Sequence, residues 1–182
     1  MPAKLFSGVL LLALLASCKP HLSISSSSAK LIPYSGDEKL LFVSTAYDTL
    51  DIYLTGIETK PKDIKKEAKQ YSAEQMLYQC NTKQGIVEIT FAALSASPEG
   101  DVFVLNLFNK GHYIFEKEIL VTELLKAGMI NYKCNTVLYT DVVVIKNTTA
   151  LKQDFYAEKC YWSKSKGLIA FKEKSGMLWY VQ

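Results

Sequence analysis

The chain has 182 residues, of which 49% are hydrophobic, with a mean hydropathy of +0.07. That length fits one domain with a short appendage and excludes two full-sized domains. The composition excludes a disordered chain, a collagen and a coiled coil. The 21 basic residues are all Lys and face 18 acids, a net charge of +3. Without Arg there is no bidentate fork for phosphate or guanine, so no nucleic-acid partner is expected.

Lys4 supplies a small positive start. In Leu5 to Ser17, 10 of 13 residues are apolar. A 13-residue helix spans about 20 Å, short of the ~30 Å hydrocarbon core, so the stretch reads as the core of a secretory signal. It ends in Leu15-Ala16-Ser17-Cys18, which resembles the lipobox of exported bacterial lipoproteins. The resemblance implies a signal peptide over residues 1–17. It also implies a Cys18 thiol joined to diacylglycerol, palmitate-type acylation, and cleavage that leaves Cys18 as an acylated N-terminus. Two or three acyl chains, at about 0.8 kcal/mol per buried CH₂, anchor firmly. The next residue is Lys19 and not Asp, which under the sorting rule of enteric lipoproteins implies the outer membrane.

Lys19 to Gly36 shows no periodicity and holds Pro20, Ser25-Ser26-Ser27-Ser28, Pro33 and Gly36. Residues 18–36 are therefore expected to be the acylated Cys and a flexible Ser-rich tether. Residues 37–182 are expected to form a single globular domain, large enough to be stable without a staple.

Within that domain Lys39 to Tyr47 and Leu50 to Thr55 read as strands with Asp48-Thr49 as the turn. Ile64, Ala68 and Tyr71 fall at helical spacing, and Ser72 to Gln75 looks like a capping box. One or two helices are thus expected between Pro61 and Gln79. Their lysines at 60, 62, 65, 66 and 69 read as a solvated face, with an anionic-lipid patch as the other reading. Ile86 to Leu94 and Val102 to Phe108 flank a Ser97-Pro98-Glu99-Gly100 turn. Tyr113 to Phe115 follows, then a short helix from Thr122 as N-cap to Gly128 as C-cap. Val137 to Ile145 reads as a central strand. Phe155 to Trp162, Leu168 to Lys172 and Met177 to Val181 form a closing meander. The expectation is α+β: a mostly antiparallel twisted sheet of about 7–9 strands with one or two helices packed on one face.

The closing segment carries Tyr161-Trp162-Ser163-Lys164, Gly167-Leu168-Ile169 and Trp179. It is similar to the last meander of uncharacterised lipoproteins from Bacteroidota. The likeness covers about 24 residues plus the lipobox and implies a source, not an activity. Lys19-Pro20-His21-Leu22 lacks the acidic run that some surface-exposed members carry, which implies the periplasmic face. Asp48-Thr49-Leu50 matches the short O-glycosylation pattern of that group, at Thr49.

Cys80, Cys134 and Cys160 are an odd set for an oxidising compartment. Tyr78 to Thr82 and Tyr132 to Thr136 share the pattern Y-x-C-N-T. Cys80–Cys134 is therefore the preferred disulfide, and Cys160 would remain a small buried hydrophobe.

No catalytic constellation emerges. His21 lies in the tether and His112 in a turn, which does not make a zinc set. A Cys–His nucleophile would need His112 beside one of the three thiols. Asp48 with Asp51, and Glu116 with Glu118, are the nearest approaches to paired carboxylates. No cofactor and no metal are expected. Of Tyr161, Trp162, Trp179 and Tyr180, adjacent members point to opposite faces, so one of each pair is expected in the core. The outward member packs across strands or offers a sugar or lipid surface.

The leading expectation is a non-enzymatic, lipid-anchored envelope protein acting as a binding or assembly module, with the membrane and an envelope protein as partners. A second is a periplasmic carrier whose curved sheet encloses a lipid-like ligand between Ile86, Ile89, Phe91, Val104, Val143 and Ile145. An envelope hydrolase is third.

Overall fold

A computed structural model describes residues 19–67, 69–82, 85–109, 112–147 and 156–182, with backbone alone at 82, 85–90, 108–109 and 112–113. The signal segment, the lipobox and Cys18 lie outside the described residues. The elements run β1 (His21–Leu22), α1 (Ser26–Ala29), β2 (Lys39–Ser44), β3 (Thr49–Lys66), β4 (Lys69–Thr82), β5 (Gly85–Ser95), β6 (Val102–Asn109) and β7 (His112–Leu120). They continue with α2 (Val121–Lys126), β8 (Ile130–Cys134), β9 (Val137–Lys146), β10 (Ala157–Ser163), β11 (Gly167–Glu173) and β12 (Leu178–Val181). One sheet takes the order β7-β6-β5-β4-β3-β2-β12-β11-β10-β9-β8, with β1 on β4. Its path is antiparallel at every step, and β1 is the one parallel partner among the described strands.

Among the described residues the sheet curls into a half-barrel of twelve strands with two short helices, which corrects the α+β expectation of 7–9 strands. The stretch expected to be helical from Pro61 to Gln79 is instead a long ribbon. β3 and β4 pair without a break from Gly56↔Gln79 to Lys66↔Lys69. Ile64 and Tyr71, whose spacing suggested a helix, are directly opposite each other across that ribbon. Two further differences are smaller. Thr122 lies inside the first turn of α2 and Leu120 takes the cap position. The β2–β3 turn centres on Thr45 to Tyr47, where Ser44 N–H donates to the Asp48 carbonyl at 2.9 Å.

The larger correction concerns residues 19–36, which the Ser-rich composition presented as a tether. The segment is built into the fold. β1 pairs with Ser72 and Ala73 of β4. Ile24 N–H donates to Glu74 Oε2 at 2.9 Å, and Ser25 N–H donates to Asp101 Oδ2 at 3.0 Å. Ser25 caps α1 by accepting from Ser28 N–H at 3.2 Å. Leu31, Ile32 and Tyr34 then enter the interior of the curl and are buried there. The apolar run Leu31-Ile32-Pro33-Tyr34 outweighs the serines that precede it. Burying Leu31 and Ile32 contributes about 1.5–3 kcal/mol each.

Tyr34 is the keystone of that interior. Its ring meets Tyr78, Phe91 and Trp162 at centroid distances of 6.3, 5.5 and 6.0 Å. Its hydroxyl accepts from Leu168 N–H at 2.8 Å. Burial pushes the phenol far above the ordinary tyrosine range, so it stays protonated. The close approach requires glycine opposite: a Cβ on Gly167 would overlap the Tyr34 hydroxyl, and the φ of Gly167 is +80°. Trp162 is fully buried, packs on Phe103 at 5.0 Å and donates its indole N–H to the Leu31 carbonyl at 3.1 Å.

A second, smaller cluster lies on the outer face around Cys134, Val142, Tyr161, Ile169 and Ala170. It forms because β9 changes partners at Val142. Val137 to Val142 pairs with β8, and Val142 to Lys146 pairs with β10. The β8–β9 hairpin folds back over the sheet. Tyr132 stacks on Tyr161 at 4.2 Å, and the Cys134 thiol reaches the Ile169 carbonyl at 3.8 Å.

Candidate functional site

The partner change at Val142 leaves the other edge of β9 open from Val143 to Lys146. β7 is the last strand at the opposite end of the sheet, with one edge on β6 and the other without a strand partner among the described residues. The curl brings these two edges to one cleft, which α2, packed on β7 and β6, also lines. The helix is short and amphipathic. Val121 and Leu124 are buried, while Thr122, Glu123, Leu125 and Lys126 are exposed. Val121 N–H donates to the Asp101 carbonyl at 2.8 Å, which ties the start of α2 to the β5–β6 turn.

The result is a cleft of about 280 Å³ lined by Lys117, Ile119, Glu123, Leu124, Ala127 and the Val143–Lys146 edge. Leu124, Val143 and Ile145 form a buried floor. Lys117, Glu123 and Lys146 bring charge to it. Register explains the lysine: Phe115, Lys117 and Ile119 alternate on one face of β7, opposite Leu107, Leu105 and Phe103. A lysine among apolar neighbours on a free edge blunts that edge against uncontrolled pairing. The cleft thus offers an apolar floor, a charged rim and two strand edges.

The residues singled out from sequence fall elsewhere. Cys80 lies in the inner core, Cys134 in the outer cluster and Cys160 in the inner core, and all three thiols are free. The expected Cys80–Cys134 disulfide is not made: despite similar flanks, the two thiols lie in separate core clusters. Burial pushes the Cys80 thiol up to about 12 and raises those of Cys134 and Cys160, so none is an activated nucleophile. The side chain of His112 and those of Ile86 and Ile89 lie outside the described residues. Among the described residues no group of three His, Cys, Asp or Glu could hold a metal ion.

The carboxylates have local duties. Asp51 pairs with Lys39 at 3.5 Å, and Glu116 and Glu118 are exposed on the face of β7 away from the core. Asp141 receives the Ser163 hydroxyl at 2.7 Å and Ser165 N–H at 2.8 Å. Burial works upward on Asp141, but these donors prevail and hold its carboxyl below the usual range. Thr49 is exposed at the start of β3.

The tryptophan–tyrosine pairs divide by face. Trp162 belongs to the inner core and Tyr161 to the outer cluster. Trp179 stacks on Phe171 at 5.8 Å and donates to the buried Glu173 at 2.5 Å, while Tyr180 packs against the outer cluster. Of the six residues expected to line a ligand cavity, Phe91, Val143 and Ile145 do face the interior. There Phe91 meets Tyr34 at 5.5 Å, while Val143 and Ile145 also line the cleft. Sequence reading missed the cleft itself. Its only early signal was the lysine at the apolar phase of Phe115-Glu116-Lys117-Glu118-Ile119.

Compared with known proteins, the chain matches no family model, no curated protein and no solved structure.

Proposed function

We propose that the protein is a non-enzymatic binding module of the bacterial envelope, held to the membrane through acylated Cys18, that receives an extended segment of an envelope protein at the seam between β7 and β9. One observation carries this reading. The chain fills the inside of its own curl with Leu31, Ile32 and Tyr34, yet leaves the cleft beside Val143–Lys146 unfilled. A strand laid there would satisfy edge groups on both sides of the cleft. Such edge addition draws affinity from the main chain and specificity from side-chain pockets. The curvature of the sheet also suits a carrier of a lipid-like ligand, but the packed interior favours the module.

The anchor and the seam are tested separately. Cys18→Ala should move the protein from the membrane fraction to the soluble one; a variant that is still acylated and membrane-bound contradicts the anchor. A photo-crosslinking residue in place of Lys146 should give a discrete envelope adduct that Ala127→Trp abolishes by filling the cleft. An adduct indifferent to Ala127→Trp contradicts the seam as the docking site.

A further inference from the structure

The β3–β4 ribbon projects past the rest of the sheet. β2 pairs with β3 only as far as Tyr53, and β5 pairs with β4 only from Gln75. Beyond those points β1 is the one strand on its edges among the described residues, beside single bonds from Leu54 N–H to the Glu38 carbonyl and from Ala96 N–H to the Glu74 carbonyl. Leu54 to Glu74 holds five lysines (60, 62, 65, 66, 69) and four acids (58, 63, 67, 74), a net of +1.

Register sorts that charge by face. Lys60, Lys62, Ile64 and Lys66 alternate along one side of β3, opposite Gln75, Ala73, Tyr71 and Lys69. This face has four lysines around the half-buried Ile64–Tyr71 pair, with Glu58 beside Lys60 as the carboxylate on its β3 side. Asp63, Lys65 and Glu74 lie on the other face. Some of the lysines are engaged: Lys60 pairs with Glu58 at 2.8 Å and Lys66 with Glu99. Asp63 is taken by Lys19 at 3.1 Å, and Glu74 by the Ile24 amide. Lys62, Lys65 and Lys69 are exposed with no carboxylate partner among the described residues.

The position of β1 gives the arm a partner. β1 runs parallel to β4, with His21 beside Ser72. Its upstream end therefore points toward the Lys66–Lys69 tip. Two residues separate Cys18 from His21, and the three chain steps reach at most about 11 Å. The attachment point of the lipid is thus tied beside the arm, with no long tether to hold the domain away.

We propose that the lysine face of the β3–β4 arm is a second, electrostatic membrane contact, laid on the phosphate headgroups of the leaflet that holds the Cys18 acyl chains. This rests on the acylation of Cys18 for its place in the cell. The arm fixes the orientation of the domain, which a lipid alone would leave free to swivel. Acyl chains and a basic patch together are the usual two-signal form of stable anchoring.

Two measurements test it. The acylated protein is placed in vesicles of phosphatidylcholine alone or mixed with phosphatidylglycerol, and lysine acetylation is followed by mass spectrometry. Slower acetylation of Lys62 and Lys69 on the anionic vesicles, with Lys133 and Lys166 unchanged, is expected. Equal rates on both vesicles overturn the proposal. The chain from Cys18 onward carrying Cys18→Ala, which holds every residue the structure describes, is then titrated with the same vesicles. Partitioning should favour phosphatidylglycerol and fall about fivefold for each of Lys62→Gln and Lys69→Gln. No preference for the anionic vesicles, or a preference that both substitutions leave intact, overturns it. A native Cys18 free of acyl groups would end the anchor reading alone, because the titration judges the arm without any lipid on the protein.

Discussion

The curled sheet has two gaps, and the molecule treats them differently. On one side the concave interior is closed by the chain itself. Residues 21–34 pair with β4, cap against Asp101 and sink Leu31, Ile32 and Tyr34 onto Trp162. On the other side the edges of β7 and β9 line a cleft with α2 and stop short, leaving it unfilled over a buried floor. The same sheet makes both, so curvature alone does not decide whether a gap is filled. A gap filled by the chain's own aromatic and aliphatic side chains is structural. A gap left between two unpaired edges with charges at its rim is where another chain has something to gain.

The contrast can be broken most severely from the filled side. Trp162→Ala should cost about 3–5 kcal/mol, because it removes a fully buried indole and its bond to the Leu31 carbonyl. Guanidinium unfolding followed by fluorescence and circular dichroism reads this directly. Gly167→Ala adds a single carbon and should still cost about 2–4 kcal/mol, from positive φ and the overlap with Tyr34. A near-neutral result would mean that Tyr34 is not seated where the structure puts it. Ser25→Ala removes the α1 cap and the hydroxyl donated to Asp101 at 2.8 Å, for a loss of about 1 kcal/mol.

Smaller effects sharpen the picture. Glu38 is worked upward by burial, but Ser35 and Gly36 donate to it and hold its carboxyl below the usual range. A lowered folded pKa adds stability above the unfolded pKa and loses it as pH falls through the folded one. Glu38→Gln and Asp141→Asn should therefore lower stability at pH 7 and leave it close to the parent's at pH 2, which flattens the acid limb. Thermal melts from pH 7 down to pH 2 check it, and an unchanged acid limb counts against these contacts. At the seam, Ala127→Trp should stay within about 0.5 kcal/mol of the parent, because nothing of the chain's own occupies the cleft. A large loss of stability would mean the cleft is part of the core.

Much of the β-structure was legible. The Ser97-Pro98-Glu99-Gly100 turn forms, with Gly100 N–H donating to the Ser97 carbonyl at 3.1 Å. The closing meander has its turns at Gly167 and at Ser175-Gly176, close to the expected positions. These features announce themselves through local chemistry. The ribbon did not, because strands exposed on both faces show no alternation of apolar and polar residues. Ile64 and Tyr71 then mimic a helical stripe by being cross-strand partners. The N-terminal segment was hidden by averaging: four serines dominate a window whose decisive residues are Leu31, Ile32 and Tyr34. The seam was illegible for a different reason. It is made by two strands 23 or more positions apart in sequence that are not paired, and only the closure of the curl brings Lys117 near Val143–Lys146. The three thiols misled through matching flanks, since a shared Y-x-C-N-T says nothing of which face of a sheet each occupies.

The account depends first on residues 21–34 being part of the fold and not a leash. Amide hydrogen exchange on the full chain measures this most directly. Ile24, Ser25, Ala29 and Leu31 donate their amides at 2.9, 3.0, 3.0 and 2.9 Å. These amides should exchange slowly, with Leu31 and Leu168 protected together because Tyr34 and Trp162 tie them to one core. Exchange across 21–34 at the rate of a free peptide, with Leu168 still protected, would contradict it.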